Sequence, residues 1–226
     1  MNPSRRDFLQ ATALFAAPND RPHYDVAVYG GVPCGIASAI AAAREGARVL
    51  LIEPTRHIGG LSTSGINTAE TEHMLVWTIG GIAQEFYRRL GDHYSTGKPE
   101  YYFESSVAEK VYLKMLTEAG VTLRFGVRVE KTVRAGARLR SIQLSDGSTI
   151  LASVFIDASY EGDLMARAGV PFTFGRESRS EFNEEAAGVR FEKTTVQAAT
   201  VDANGKLLPG ITSWAGSERA TLTAAS

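Results

Sequence analysis

The sequence predicts an α/β fold, and neighbouring segments near the start of the chain carry that prediction. An apolar strand over Tyr24–Tyr29 is followed by a glycine-rich turn, Gly30–Gly35, and by an alanine-rich helix that continues to Glu45. A second apolar strand, Ala47–Ile52, comes directly after the helix. Strands that alternate with helices in this way are typical of a parallel sheet covered by helices.

The turn between the first strand and the helix is a candidate ligand site. Gly30 allows a tight turn, Gly35 lets the helix pack closely on the strand, and the amides at the helix start then point at a pyrophosphate. Glu53 ends the second strand, where a carboxylate can bind ribose hydroxyls. The pattern departs from G-x-G-x-x-G because Val32 replaces the middle glycine. The unit predicts a dinucleotide site; the alternative is an α/β unit that binds no nucleotide.

A second glycine pair favours FAD over NAD as that dinucleotide. The segment His57-Ile58-Gly59-Gly60 is followed by a hydroxyl side chain at Ser64. It is similar to the flavoprotein pattern R-x-G-G-R-x-x-[ST], with His57 and Leu61 in place of the arginines. The two glycines would let the backbone pass close to the ribityl-phosphate arm of the flavin. The alternative is an ordinary Gly-Gly loop.

With these segments the chain resembles the glutathione-reductase-type FAD-dependent oxidoreductases, in particular a bacterial subfamily. Tyr29–Gly35 matches the subfamily pattern Y-G-[GAT]-x-P-x-G, and Glu53–Gly60 matches E-P-x-x-H-x-G-G. Phe155–Leu164 contains the subfamily sequence D-A-[ST]-Y-E-G-D-L, which the resemblance places on a strand that returns to the cofactor.

The resemblance implies a Rossmann-type FAD-binding domain with a β-meander, followed by the start of an inserted substrate domain. It implies FAD as the cofactor. The motifs and this resemblance give a set of expected cofactor-binding residues: Gly30, Gly31, Val32, Pro33, Cys34, Gly35, Glu53, Pro54, His57, Gly59, Gly60, Ser64, Ala158 and Ser159.

The first residues of the chain resemble an export signal. Ser4–Gln10 is similar to the twin-arginine pattern [ST]-R-R-x-F-L-K, and Ala11–Ala17 is a short apolar stretch, too short to span a membrane. Residues 1–23 are therefore expected to be a twin-arginine-like signal and linker, with a periplasmic or other extracytoplasmic destination. The alternative is a disordered N-terminal tail on a cytoplasmic protein.

The composition is typical of a soluble globular protein. The sequence is 44% hydrophobic with a formal net charge of −1, which gives no support for binding nucleic acid or a lipid surface. The single cysteine, Cys34, excludes an internal disulfide, and we interpret it as a small buried residue rather than a nucleophile. No metal-ligand cluster and no Ser-His-Asp arrangement is apparent.

The middle of the chain predicts two helices and a run of short strands. Trp77–Leu90 has a helical pattern with Gly91 as its stop, and Ser106 with Glu109 forms a capping box for a second helix that Gly120 ends. Hairpin turns at Ala135-Gly136 and Asp146-Gly147 separate the predicted strands. Those strands are Val121–Phe125, Arg128–Arg134, Leu139–Leu144, Thr149–Leu151 and Val154–Ala158.

The predicted organisation is a signal and linker at 1–23, an FAD-binding domain at 24–174 and the start of a substrate domain at 175–226. The end of the chain contains no returning Gly-Asp segment of the kind that relatives use at the ribityl chain, so we expect either a fragment of a longer product or a truncated chain. An incomplete sheet of this kind would favour self-association.

The expected function is that of an FAD-dependent oxidoreductase, or its FAD-binding portion, acting on an unknown small organic substrate. The flavin does the redox chemistry in such enzymes, and the catalytic acid or base cannot be assigned here. His57 is expected to contact phosphate, with a covalent flavin tether the less favoured role; His23 and His93 are expected to be solvated. The alternatives are a nucleotide-binding or interaction module without redox chemistry, and an inactive truncation product.

Overall fold

The computed structural model describes residues 24–66, 76–173, 175, 177–184, 187 and 202–206. They belong to two compact units that divide between Val170 and Pro171. The predicted signal and linker, with His23, lie outside the described residues, as does His73. None of the described helices is long and apolar enough to cross a membrane.

The first unit begins with the predicted strand–helix–strand arrangement. Strand β1 is Tyr24–Tyr29, helix α1 is Pro33–Arg44, and strand β2 is Val49–Glu53. The two strands are parallel neighbours. Strand β2 starts two residues later than predicted, because the backbone N–H of Arg48 donates to the side-chain carboxylate of Asp25 (2.7 Å) and not to a backbone carbonyl of the sheet.

Six strands form one mixed sheet in the order β3-β2-β1-β6-β5-β4. The four later strands are β3 (Thr122–Phe125), β4 (Val129–Ala135), β5 (Arg138–Leu144) and β6 (Thr149–Asp157). Strands β3, β2, β1 and β6 are parallel, whereas β6, β5 and β4 are antiparallel. The α/β class and the β-meander are confirmed.

Strand β6 is continuous, so the prediction of two separate strands over 149–151 and 154–158 is wrong. Leu151 pairs with Ser141 of β5, and Ala152 already lies opposite Tyr24 of β1. The first part of β6 therefore completes the meander, and the second part completes the parallel sheet. Because each part has its own partner strand, nothing interrupts the chain between them.

Helix α2 (Gly81–Tyr94) starts and ends later than predicted, and Trp77 lies in a separate short 3₁₀ turn, Val76–Thr78. Gly91 does not stop this helix. It is buried within it, and a Cβ at this position would overlap the carbonyl oxygen of Lys98. The glycine therefore makes room for the following loop, and the helix ends at Ser95 instead.

Helix α3 (Ser105–Glu118) does not use the predicted capping box. Its N-cap is Glu104, which makes no side-chain capping bond, and Ser106 is already inside the helix. Glu109 lies one turn further on, where its carboxylate accepts the backbone N–H of Ile58 (3.1 Å) from another part of the chain. Gly120, with φ 74°, follows the helix end as predicted.

Two hydrophobic cores lie on the two faces of the sheet, because successive residues of β1 point to opposite sides. Val26 and Val28 contribute to the core beneath the helices, whereas Ala27 and Tyr29 contribute to the other core. The helix-side core includes Ile36, Ile40, Leu90, Met115 and Leu116, and the second core includes Leu50, Ile52, Val129, Ile142 and Leu144.

Ion pairs connect the three long helices at the surface. Glu85 of α2 accepts from Arg44 of α1 (2.7 Å) and from Arg89 (2.7 Å). Arg89 also pairs with Glu118 of α3 (2.6 Å). The arginines lower the pKa of the Glu85 carboxyl to about 2, with the hydrogen bond from Arg44 as the largest cause.

The first unit closes with helix α4 (Asp163–Arg167), and side chains of strand β4 donate hydrogen bonds to backbone carbonyls at the end of this helix. Thr132 donates to the Arg167 carbonyl (2.7 Å), and Arg134 donates to the Ala168 carbonyl (2.7 Å). In the second unit the described residues form a short helix α5 (Arg179–Phe182) and a turn over 202–206.

Candidate functional site

An open cleft of about 830 Å³ lies at the edge of the sheet where the parallel strands β1, β2 and β6 end. Tyr29 and Glu53, the last residues of β1 and β2, line it, as does Ser159 just after β6. Ligands of open α/β sheets bind outside the carboxyl ends of the strands. The cleft is therefore the candidate functional site of the first unit.

The glycine turn after β1 packs tightly against the end of β6. Gly30 has φ 104°, and a Cβ there would lie 2.6 Å from the backbone nitrogen of Ser159. A Cβ at Gly35 would overlap the carbonyl oxygen of Gly30. Both positions consequently require glycine, which leaves the backbone of the turn close to the cleft. Val32 is the buried N-cap of α1 and fits where the general pattern has glycine.

Glu53 connects the turn to the end of β2. The residue is 8% exposed, and its carboxylate accepts the N–H of Gly31 (2.7 Å) through Oε2 and that of Thr55 (2.8 Å) through Oε1. A carboxylate has about four acceptor positions, so each oxygen can accept a further bond from a ligand hydroxyl. Glu53 thus both fixes the turn and presents an acceptor to the cleft.

The second glycine pair lies directly beside the first turn. The N–H of Gly59 donates to the carbonyl of Gly31 (2.7 Å), and Gly59 and Gly60 both have positive φ, 105° and 52°. Thr63 closes the following 3₁₀ turn, Gly60–Thr63, by donating to the Ile58 carbonyl (2.7 Å). The two glycine segments therefore form one wall of the cleft.

Glu109 of α3 supports this wall from outside the cleft. One oxygen, Oε1, accepts the Ile58 N–H (3.1 Å) and also lies 3.1 Å from Nδ1 of His57. The Glu109 side chain is 25% exposed and the His57 side chain 79%. A helix residue therefore fixes both the backbone and the imidazole at the start of the glycine pair.

The segment after β6 is held by its own side chains. Asp157 accepts the N–H of Ser159 (2.9 Å) and that of Met165 (2.7 Å) through its two oxygens. The Ser159 hydroxyl in turn accepts the N–H groups of Gly162 (3.0 Å) and Asp163 (3.2 Å). The D-A-S-Y-E-G-D-L sequence thus builds a rigid loop that ends in α4, and it keeps Ser159 at the cleft.

Tyr160 bridges this loop and the second glycine pair. Its hydroxyl accepts the N–H of Leu61 (3.0 Å), and a Cβ at Gly60 would collide with that same hydroxyl. The tyrosine side chain is 57% exposed, so it lies at the mouth of the cleft. Gly60 is therefore needed for the approach of Tyr160 as well as for its own positive φ.

The structure brings most of the predicted site residues to the cleft. Those that line it are Gly30, Val32, Glu53, Pro54, His57, Gly60, Ser64 and Ser159. The others are not among the residues that line it and lie in the turns, at the start of α1 or just after β6; they are Gly31, Pro33, Cys34, Gly35, Gly59 and Ala158.

Cys34 is exposed, so the prediction of a small buried residue is wrong. It lies in the first turn of α1, whose buried side consists of Gly35, Ile36, Ala39 and Ile40. The thiol points off that side and donates a weak bond to the Ala158 carbonyl, with 3.7 Å between Sγ and oxygen. His93 lies near the end of α2 and is exposed, as predicted.

Sequence reasoning missed several residues that line the cleft, including the charged and aromatic groups of the wall across from the glycine segments. The additional lining residues are Tyr29, Thr55, Leu61, Thr63, Arg128, Tyr160, Glu161, Asp163 and Arg167. Arg128 precedes β4 and Arg167 ends α4, so only the sheet order brings them together. Burial raises the pKa of the Tyr29 phenol, which stays neutral at the floor of the cleft. The E-G-D run after Tyr160 was a signal that could have identified part of this wall.

The residues present fit an extended dinucleotide. The volume lies within the roughly 300–1,000 Å³ common for cofactor sites, and glycine turns leave backbone accessible along one wall. Glu53 can accept from ribose hydroxyls, and Arg128 and Arg167 supply positive charge for phosphates. Among the described residues, no cluster of side chains could hold a metal ion.

Comparison with known proteins identifies a family. A sequence model described as FAD-dependent oxidoreductase matches residues 25–221, which is most of the chain. A segment of 76 residues, 32% of this chain, is 41% identical to an NADH:fumarate oxidoreductase of Klebsiella pneumoniae (strain 342). The matched segment spans 8% of the length of that relative.

Solved structures with similar folds have low sequence identity. A THI4 protein of Thermovibrio ammonificans is 23% identical with a TM-score of 0.45, and the match covers 76% of this chain and 73% of that one. An L-proline dehydrogenase of P. horikoshii is 14% identical with a TM-score of 0.47, covering 68% of this chain and 57% of that one.

Proposed function

Since the chain belongs to the FAD-dependent oxidoreductase family, we propose that it binds FAD in this cleft and supplies the FAD-binding part of an oxidoreductase that acts on a small organic molecule. The observation that carries the proposal is the convergence of Glu53, the Gly30–Gly35 turn and the Gly59-Gly60 pair on one cleft. Each had been expected to contact the same cofactor.

The proposed binding mode assigns a part of the dinucleotide to each wall. The amides of the Gly30–Gly35 turn and the start of α1 face the pyrophosphate, where the helix dipole favours negative charge. Glu53 accepts from the adenosine ribose through the lone pairs that Gly31 and Thr55 leave open. The Gly59-Gly60 pair and Ser64 adjoin the ribityl arm, and Ser159 lies opposite them.

Within this proposal the protein binds, orients and shields, while the bound flavin would supply the redox chemistry. Tyr160 is held at the mouth of the cleft by its bond from Leu61, where it would cover part of a bound ligand. No catalytic acid or base is assigned, because the substrate side of the site is not defined by the described residues.

The finer assignments belong to the same proposal. The subfamily motifs favour a glutathione-reductase-type arrangement, with an FAD-binding domain at 24–174 and the start of a substrate domain at 175–226. The Ser4–Gln10 segment favours twin-arginine export to the periplasm, a route that accepts a folded protein with its cofactor bound. Self-association through an open sheet edge is also proposed.

Gel filtration of the protein mixed with FAD, and separately with NAD, tests the proposal. We expect the flavin absorption to elute with the protein after FAD and no nucleotide to elute with it after NAD. A protein that retains NAD instead would contradict the choice of FAD. A protein that retains neither would contradict the cleft as a dinucleotide site.

A further inference from the structure

Glu109 of α3 makes two contacts with one stretch of the cleft wall. Its Oε1 atom accepts the Ile58 N–H at 3.1 Å and contacts His57 Nδ1 at 3.1 Å, while Oε2 lies 3.4 Å from the same nitrogen. Glu109 lies in the second turn of α3, so the helix fixes the backbone from which the carboxylate reaches the wall. The His57 ring makes no other hydrogen bond to the residues that the structure describes.

This contact determines which nitrogen of the His57 ring carries a proton when the ring is neutral. An ionised carboxylate only accepts hydrogen bonds, so Nδ1 must carry the proton that it donates to Glu109. The remaining nitrogen, Nε2, is then an acceptor in the neutral ring and a donor in the imidazolium. A phosphate oxygen also only accepts. His57 can therefore bind phosphate in this orientation only as the imidazolium.

His57 is placed where a phosphate is expected. It lines the cleft, and the chain two residues later is bonded to the glycine turn by the Gly59 N–H and the Gly31 carbonyl (2.7 Å). The charged group in contact with the ring is Glu109, and Arg56 precedes it in the chain. The other charged groups of the cleft are Glu53, Arg128, Glu161, Asp163 and Arg167.

We propose that Glu109 is a positioning residue that orients the His57 ring through Nδ1–H, so that His57 binds the pyrophosphate of the bound dinucleotide through Nε2–H as the imidazolium. The inference rests on the proposed function, because it needs a dinucleotide in the cleft. It adds that the affinity of the site for the pyrophosphate depends on a proton carried by His57.

Calorimetric titration at pH 6 and pH 8 tests this proposal with FAD, ADP-ribose and adenosine as probes. FAD and ADP-ribose both contain the pyrophosphate diester, which does not titrate in this range, and adenosine has no phosphate. The variants are His57→Gln, Glu109→Gln and Glu109→Ala. Glu118→Gln is the matched control, because it removes a carboxylate from the same helix away from the cleft.

We expect the wild type to bind FAD and ADP-ribose about fivefold or more tightly at pH 6 than at pH 8, since a charge-assisted bond is gained. His57→Gln should abolish that difference. Glu109→Gln keeps an acceptor for Ile58 but removes the charge, so it should reduce the difference without loss of fold. Glu109→Ala should also weaken binding at both pH values. Adenosine should show no pH dependence, and Glu118→Gln should behave as the wild type.

The outcomes distinguish a failure of the inference about His57 and Glu109 from a failure of the proposed FAD site. Equal pH dependence in the wild type and His57→Gln, with FAD bound by both, would overturn the role of the pair and leave the FAD site intact. Wild-type behaviour of Glu109→Gln at both pH values would overturn the role of Glu109 alone. Failure of the wild type to bind either FAD or ADP-ribose would overturn the proposed function, and this inference with it.

Discussion

Gly35 packs directly against the carbonyl oxygen of Gly30, so closely that no side-chain carbon fits between the first turn of α1 and the end of β1. The contact joins the helix to the strand at the point where the turn enters the cleft. It explains why glycine is needed at position 35, whereas Gly30 is needed for its positive φ and its approach to Ser159. Val32, between them, departs from the general dinucleotide pattern without disturbing either contact. The contact of Gly35 with Gly30 therefore sets the distance between β1 and α1 beside the cleft.

Gly35→Ala should therefore destabilise the first unit. The added methyl group must displace backbone rather than a flexible side chain, and overpacking of this kind costs about 1–3 kcal/mol. Chemical denaturation with urea would measure the change in the free energy of unfolding. Ser38→Ala, one turn further along the same helix, is the control and should change that free energy little. Equal stability of Gly35→Ala and the wild type would contradict the packing described.

Glu53→Ala should weaken FAD binding and also lower stability. The substitution removes acceptors for ligand hydroxyls and leaves the N–H groups of Gly31 and Thr55 without their partner. Loss of a charge-assisted bond of about 1.5–3 kcal/mol corresponds to roughly tenfold or more in the FAD dissociation constant. Quenching of flavin fluorescence measures it.

Cys34→Ala is the comparison for Glu53→Ala, because the exposed thiol makes only a weak bond to Ala158. We expect it to retain FAD better than Glu53→Ala does. Equal FAD retention by the two variants would contradict the assignment of Glu53 as the acceptor for the ribose hydroxyls.

Glu85→Gln should lower stability at neutral pH and have less effect as the solution becomes acidic. The folded-state pKa of Glu85 is about 2, below its ordinary value of 4.5, so its contribution is complete above pH 4.5 and is lost as the pH falls toward 2. Because solvent screens such a surface network, we expect about 1 kcal/mol at pH 7. Urea denaturation of the wild type and the variant at several pH values measures the difference in their free energies of unfolding. A difference that grows toward pH 2 would contradict the expected pH dependence.

Arg5→Lys combined with Arg6→Lys should block export in a bacterium with the twin-arginine pathway. Lysine keeps the charge but lacks the planar, multidentate guanidinium that the signal presents. Cell fractionation of the wild type and the double variant measures the exported fraction. An identical distribution of the two proteins would show that the segment is not an export signal.

Much of the fold followed from local sequence. The β1–α1–β2 unit, the hairpin turns and the positions of Glu53 and the glycine pairs depend on periodicity and turn chemistry, which neighbouring residues determine. For the same reason, most of the predicted site residues lie at the cleft.

The features that sequence reasoning missed depend on partners distant in the chain. Gly91 has the pattern of a helix stop, but the approach of Lys98 explains it. Glu109 has the spacing of a capping box, yet it bonds Ile58, 51 residues away. The continuity of β6 depends on two different partner strands. Such contacts become visible only when the sheet order is known.

Hydrogen exchange with and without FAD, followed by mass spectrometry, tests the central claim most directly. The account predicts that FAD slows exchange in three segments that are distant in sequence: 30–35, 57–64 and 158–163. The surface segment around the Arg44–Glu85 ion pair should exchange at the same rate in both samples. Protection by FAD only in segments away from the cleft, or none within these three segments, would contradict the assignment of the cleft as the FAD site.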